Sequence, residues 1–134
     1  MVTNISHLVF SVRPSNLAFY KELMIFLGWK TIYSDDNMLG VNSTESASLW
    51  FAPQLKEASN DYDGPGLNHI GIGAPSAADV DAVVAWLKER GIPALFETPR
   101  HRPDFARSEK DTYYQVMFES PDRILWEVVY IGAK

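Results

Sequence analysis

LNHIGIGAPSAADVDAVVAWLKERGIP, from Leu67 to Pro93, decides how this chain is read. Its first residues alternate. His69, Gly71 and Gly73 fall on one face of a strand, and Ile70 and Ile72 on the other. Ser76, with Asp79 three residues later, has the pattern of a capping box in which Asp replaces the usual Glu or Gln. Val80, Val83, Val84 and Leu87 then follow at helical spacing. Gly91 and Pro93 stop the helix. A strand that opens on a histidine therefore leads directly into a helix.

The same order occurs earlier, in ISHLVFSVRPSNLAFYKELMIFLGW (Ile5 to Trp29). His7, Val9 and Ser11 alternate with Leu8, Phe10 and Val12. Pro14 and Ser15 offer a helix start, and Leu17, Tyr20, Met24 and Leu27 form a stripe that ends at Gly28. The step from His7 to Gly28 is 28 − 7 = 21 residues, and from His69 to Gly91 it is 91 − 69 = 22. The chain has three histidines, and two of them open matching units.

Three strand-like runs follow each helix. After the first they are WKTIYS, MLGVNS and ASLWFA, separated by Asp35-Asp36-Asn37 and Ser43-Thr44-Glu45-Ser46. After the second they are PALFET, TYYQVMFE and RILWEVVY, with a long polar insertion from Pro99 to Asp111. The polar stretch Pro53 to Gly66 ends in Gly-Pro-Gly and reads as a linker. Halves of this size make marginal cores alone. The expectation is one domain, residues 1–134, with an internal repeat of 1–57 and 66–134 that shares one sheet or core.

The chain has 134 residues, 46% of them hydrophobic, with a formal net charge of -5 and a pI near 5.1. An acidic balance argues against nucleic acid or an anionic membrane as partner. No apolar run approaches the roughly 20 residues of a membrane span, and the N-terminus lacks a signal pattern, so a cytoplasmic location is expected. The absence of cysteine excludes disulfides, thiolate metal sites and cysteine nucleophiles.

Glu127 sits inside the apolar run ILWEVVY. A solvated edge position is one reading of it, and a partner is the other, because an unpaired buried carboxylate is costly. If the halves are related by a pseudo-twofold axis, His7 and His69 lie beside it. Two histidines and one carboxylate on three strands would make a facial metal triad with open positions. Sliding the first half by 77 residues sets Trp50 opposite Glu127, so the fourth corner has no ligand.

At these residues the chain resembles the vicinal oxygen chelate superfamily: glyoxalase I, extradiol dioxygenases, and fosfomycin- and bleomycin-resistance proteins. The resemblance rests on HLVFSV, FYKELMIFLGW, NHIGIGAPSAADVDAVVAWLKERG and YYQVMFESPDRILWEVVY, in that order. It implies an α+β fold of two βαβββ modules forming a curved, cup-like mixed sheet with helices outside. It implies a divalent metal ion (Zn, Fe, Mn or Ni) on His7, His69 and Glu127, and a homodimer. The broad glyoxalase-like subfamily is the best match. Three departures stand out. Arg123 replaces the glycine of the family's Asp-Pro-Asp-Gly turn, Trp50 stands where glyoxalase I has a fourth ligand, and Met117 stands where extradiol dioxygenases have a tyrosine.

The function implied is metal-dependent chemistry on a small oxygen-chelating substrate, of lyase, isomerase or ring-cleaving dioxygenase type. His101 and Tyr114 are the candidate proton-moving residues, with a solvated loop position as the alternative for His101. Arg100, Arg102 and Arg107 of the insertion either clamp an anionic substrate or pair with Asp104, Glu109 and Asp111. The rival function is small-molecule or antibiotic binding of the resistance type, without catalysis.

Overall fold

The structure, a computed structural model, describes residues 1–44 and 47–134. The chain divides into two compact units, Met1–Ser59 and Asn60–Lys134. The division falls inside the polar stretch Pro53 to Gly66.

In the first unit, β1 (His7–Val12) leads through a 3-10 turn at Pro14–Asn16 into α1 (Leu17–Phe26). Three strands follow: β2 (Lys30–Ser34), β3 (Leu39–Asn42) and β4 (Ser48–Pro53). They form a mixed sheet in the order β1-β4-β3-β2, in which β1 and β4 run parallel. The alternation expected for β1 is present: Phe10 and Val12 are buried, while His7, Val9 and Ser11 are exposed. The buried set joins Leu49, Phe51 and Val41 with Tyr20, Leu23 and Met24 of α1. Phe51 stacks on both Tyr20 and Phe10, with centroids 4.5 and 5.3 Å apart. Of the turn expected at Ser43–Ser46, Glu45 and Ser46 lie outside the described residues.

The second unit repeats this order with β5 (Ile70–Gly73), α2 (Ala77–Glu89), β6 (Arg100–His101), β7 (Asp111–Glu119) and β8 (Leu125–Ala133). Its sheet order is β5-β8-β7-β6, and β5 runs parallel to β8. Each unit is thus a βαβββ module with its own four-stranded sheet and one helix, an α+β architecture. Both helices end alike. Gly28 and Gly91 sit at φ +84° and +66°. The residue after each returns its N–H five residues back, Trp29 to Met24 and Ile92 to Leu87. This is the Schellman stop that a left-handed residue allows.

One strand was misplaced by the sequence pattern. PALFET is not a strand: Phe96 and Glu97 both take positive φ, +54° and +59°, which breaks any ladder. The segment docks on β7 instead. Leu95 N–H donates to Met117 C=O (2.8 Å), and Met117 N–H donates to Thr98 Oγ1 (2.9 Å). The strand of this module is Arg100–His101, at the head of the expected insertion.

Candidate functional site

Register carries the repeat into three dimensions. In the first module Val9 lies opposite Trp50, and Gly40 opposite Trp50 on the other side. In the second, Gly71 and Met117 flank Glu127 in the same way. Trp50 therefore holds the first module's counterpart of the Glu127 position, as the slide by 77 residues required. Its indole N–H donates to Ser48 Oγ at 3.0 Å.

Glu127 is 4% exposed. Among the described residues its carboxylate meets two side chains at hydrogen-bond distance. Oε2 lies 3.0 Å from His69 Nε2, and Oε1 accepts from the Tyr113 hydroxyl at 2.8 Å. The far side of the imidazole is also fixed, since His69 Nδ1 lies 2.7 Å from Asn68 Oδ1. Asn68 is held in turn through its side-chain N–H to Tyr62 C=O at 3.0 Å. An amide oxygen can only accept, so Nδ1 carries a proton toward Asn68, and the contact of Nε2 with the Glu127 carboxylate requires a second proton or a cation between them. Burial, then the hydrogen bond to Glu127, pushes the Tyr113 phenol up to about 12.

This donor set suits a divalent ion. The imidazole has its second nitrogen committed to a fixed acceptor, as metal-bound histidines usually do. A separation of 3.0 Å is what two neighbouring ligands on one ion, each about 2.0–2.2 Å from it, would show. Within the second module the pair is His69 and Glu127. His7 belongs to the first module, at the head of β1, with Nδ1 3.1 Å from Ser6 Oγ. Among the described residues no group of three or more His, Asp or Glu side chains is gathered as an ion site.

His101 and Tyr114 occupy the other face of the sheet. They lie opposite each other across β6 and β7. His101 Nδ1 meets Thr112 Oγ1 at 2.6 Å, and the Tyr114 hydroxyl donates to Asp81 of α2 at 2.7 Å. Thr112, Tyr114, Val116 and Phe118 alternate with Tyr113, Gln115 and Met117, so the first set faces the helix and the second shares the side of Glu127. The tyrosine brought to the site is therefore Tyr113, one residue from the one singled out in the sequence. The signal was available, because Tyr113 has the same parity as Met117, the residue opposite Glu127.

The insertion does reach the Glu127 side through Arg102 and Phe105. The Phe105 ring meets Tyr113 edge-on at 5.4 Å, and the Arg102 guanidinium lies 4.4 Å from the Phe105 ring centre. Arg102 is paired with Asp104 at 2.9 and 3.2 Å. Of the two readings of these arginines, pairing within the loop describes Arg102. The hydrogen bonds between them hold the Arg102 guanidinium above its ordinary value and the Asp104 carboxyl below its own.

Residues 5–128 match the profile of the Glyoxalase/Bleomycin resistance protein/Dioxygenase superfamily. No curated protein matches the chain significantly. Among solved structures, a glyoxalase candidate from Bacillus halodurans is similar at 27% identity, over 94% of each chain, with a TM-score of 0.77. A glyoxalase/bleomycin resistance protein from Albidiferax ferrireducens shares the fold at 20% identity, over 94% of this chain and 98% of that one (TM-score 0.72). So does the fosfomycin resistance protein FosX of Listeria monocytogenes, solved with Mn(II) and sulfate. There the identity is 17%, over 97% and 91% of the two chains (TM-score 0.65).

Proposed function

The chain belongs to the Glyoxalase/Bleomycin resistance protein/Dioxygenase superfamily, and from that premise we propose that it is a divalent-metal-dependent enzyme acting on a small oxygen-chelating substrate. The observation that carries this reading is the buried Glu127, joined to an imidazole whose other nitrogen is fixed by Asn68. His69 and Glu127 would hold the ion, with His7 as the third protein ligand. The FosX structure with Mn(II) supports a divalent ion in such a fold and leaves its identity here open among Zn, Fe, Mn and Ni. When bound, the ion would supply Lewis-acid stabilisation of negative charge on substrate oxygen.

The chain's own contributions follow from its contacts. Asn68 sets the tautomer of His69. Glu127 stays fixed between His69 and Tyr113. Tyr113 keeps its proton at neutral pH and presents it beside the carboxylate, where it can donate to a substrate oxygen. Phe105 packs edge-on against the Tyr113 ring. In this reading the proton-moving role passes to Tyr113, because His101 and Tyr114 are engaged on the helix side. We also expect a cytoplasmic homodimer that takes no nucleic acid or membrane partner, and sedimentation at micromolar concentration reads the assembly.

The test is metal content after reconstitution, with wild type compared with His69→Ala, Glu127→Gln and His7→Ala. Each variant should lose most of the bound ion while keeping its circular dichroism spectrum. Equal metal in all four proteins would remove the chelate reading and leave small-molecule binding without catalysis as the function.

A further inference from the structure

Arg100 lies directly opposite Gln115 across β6 and β7. Residues paired in this way project to the same face. By alternation along β7, that is the face of Tyr113 and of Glu127. Gln115 is 4% exposed, and it brings an amide to this face. The Nε of Arg100 is buried and has no hydrogen-bond partner among the described residues. Arg100 Nη1 reaches Glu97 Oε2 only at a long 3.4 Å, and that carboxylate is 87% exposed. The rest of the Arg100 side chain is 41% exposed, so the guanidinium is open to a ligand while its Nε–H stays unsatisfied on the inner side. Such a group calls for an acceptor from outside the chain.

The neighbouring arginine sharpens the contrast. Arg102 is satisfied in bidentate fashion by Asp104 and rests on Phe105. Among the described residues Arg100 has no bidentate carboxylate, and Glu97 meets it at Nη1 alone. A planar carboxylate fits a guanidinium fork and also accepts from an amide N–H beside it.

We propose that Arg100, with Gln115 beside it, binds the carboxylate of a small-molecule ligand whose other end lies at His69 and Glu127. The proposal rests on the reading of those two residues as the reacting end. From β6 to β8 is two strand steps, about 10 Å across the sheet, and Glu127 lies two residues, about 7 Å, along β8 from the Val129 that faces Gln115. The ligand is therefore a compact acid, chain or single ring in size, with its oxygens for chelation at the end away from the carboxylate.

The test uses the full-length protein labelled with nitrogen-15. Glutarate is the probe, glutaramide its neutral counterpart and inorganic phosphate the rival anion. Glutarate should shift the Arg100 Nε–H and Gln115 amide signals saturably, glutaramide should not, and phosphate should bind more weakly. Arg100→Gln should weaken glutarate roughly tenfold or more, the scale of one charge-assisted bidentate contact. Gln115→Glu, which leaves Arg100 in place and sets a carboxylate across from it, should block the probe as well. Unmoved Arg100 signals, or glutarate binding equally well to both variants, would overturn the proposal. Phosphate binding as well as glutarate would overturn the carboxylate assignment. Metal content separates the two readings. A metal-free wild type that still binds glutarate through Arg100 loses the chelate and keeps this site, whereas a metal-loaded protein indifferent to glutarate loses this site alone.

Discussion

Gly40 and Trp50 are one decision made at two positions. A Cβ on Gly40 would stand 2.6 Å from the Trp50 ring, inside contact distance, and the ring is tethered through its N–H to Ser48. Gly40→Ala should therefore destabilise the protein by roughly 1–3 kcal/mol, the usual cost of overpacking. Most of that loss should vanish in a Trp50→Leu background. Denaturant midpoints for the four proteins of the cycle check this, and an equal loss in both backgrounds would refute it. Arg123 carries a different constraint. It sits at φ +57° in the turn after Ser120, where the related pattern has glycine. Its guanidinium nevertheless has neighbours, 5.7 Å from the Tyr62 ring centre and 3.9 Å from Glu119. The turn keeps the glycine conformation and adds an arginine, at a backbone cost of about 1–2 kcal/mol.

At the scale of elements, α2 is held at its start and along its length. Ser76 Oγ accepts from Asp79 N–H at 3.2 Å and donates to Asp79 Oδ2 at 2.6 Å. Ser76→Ala should cost about 1 kcal/mol and Ser76→Gly only a few tenths, read as shifts in midpoint. The Tyr114 hydroxyl straps β7 to α2 through Asp81. That carboxylate, first through the hydrogen bond, pushes the phenol from 10.0 up to about 12. A raised phenol contributes stability that is full below pH 10 and is lost as the pH rises through about 12. Tyr114→Phe should therefore be less stable than wild type at neutral pH and should converge with it between pH 10 and 12. Parallel unfolding curves at pH 8 and 11.5 would show this, and a gap that stays constant would count against the strap.

At the scale of the whole molecule, the chelate reading makes stability depend on metal. An ion bound only to the folded state stabilises it by about 2.7 kcal/mol at a hundredfold excess over Kd. Wild type should melt higher in saturating Mn(II) or Zn(II) than in chelator, and His7→Ala should abolish the difference. A persistent shift in His7→Ala would leave His7 out of the ligand set. Much of this protein was legible in one dimension. The strand and helix periods, both helix stops and the two-module order are local, set by alternation, capping and glycine. The slide of 77 residues even placed Trp50 and Glu127 at equivalent points. Tertiary structure decided what local pattern could not. PALFET has the composition of a strand, but it is a turn, because Phe96 and Glu97 take positive φ and its own Leu95 N–H and Thr98 hydroxyl dock on Met117 of β7 in place of a ladder. Tyr113 and Tyr114 are adjacent and chemically identical. Only the register of β7 between β6 and β8 sets one on the carboxylate and the other on the helix, because a step of one residue along a strand reverses the face.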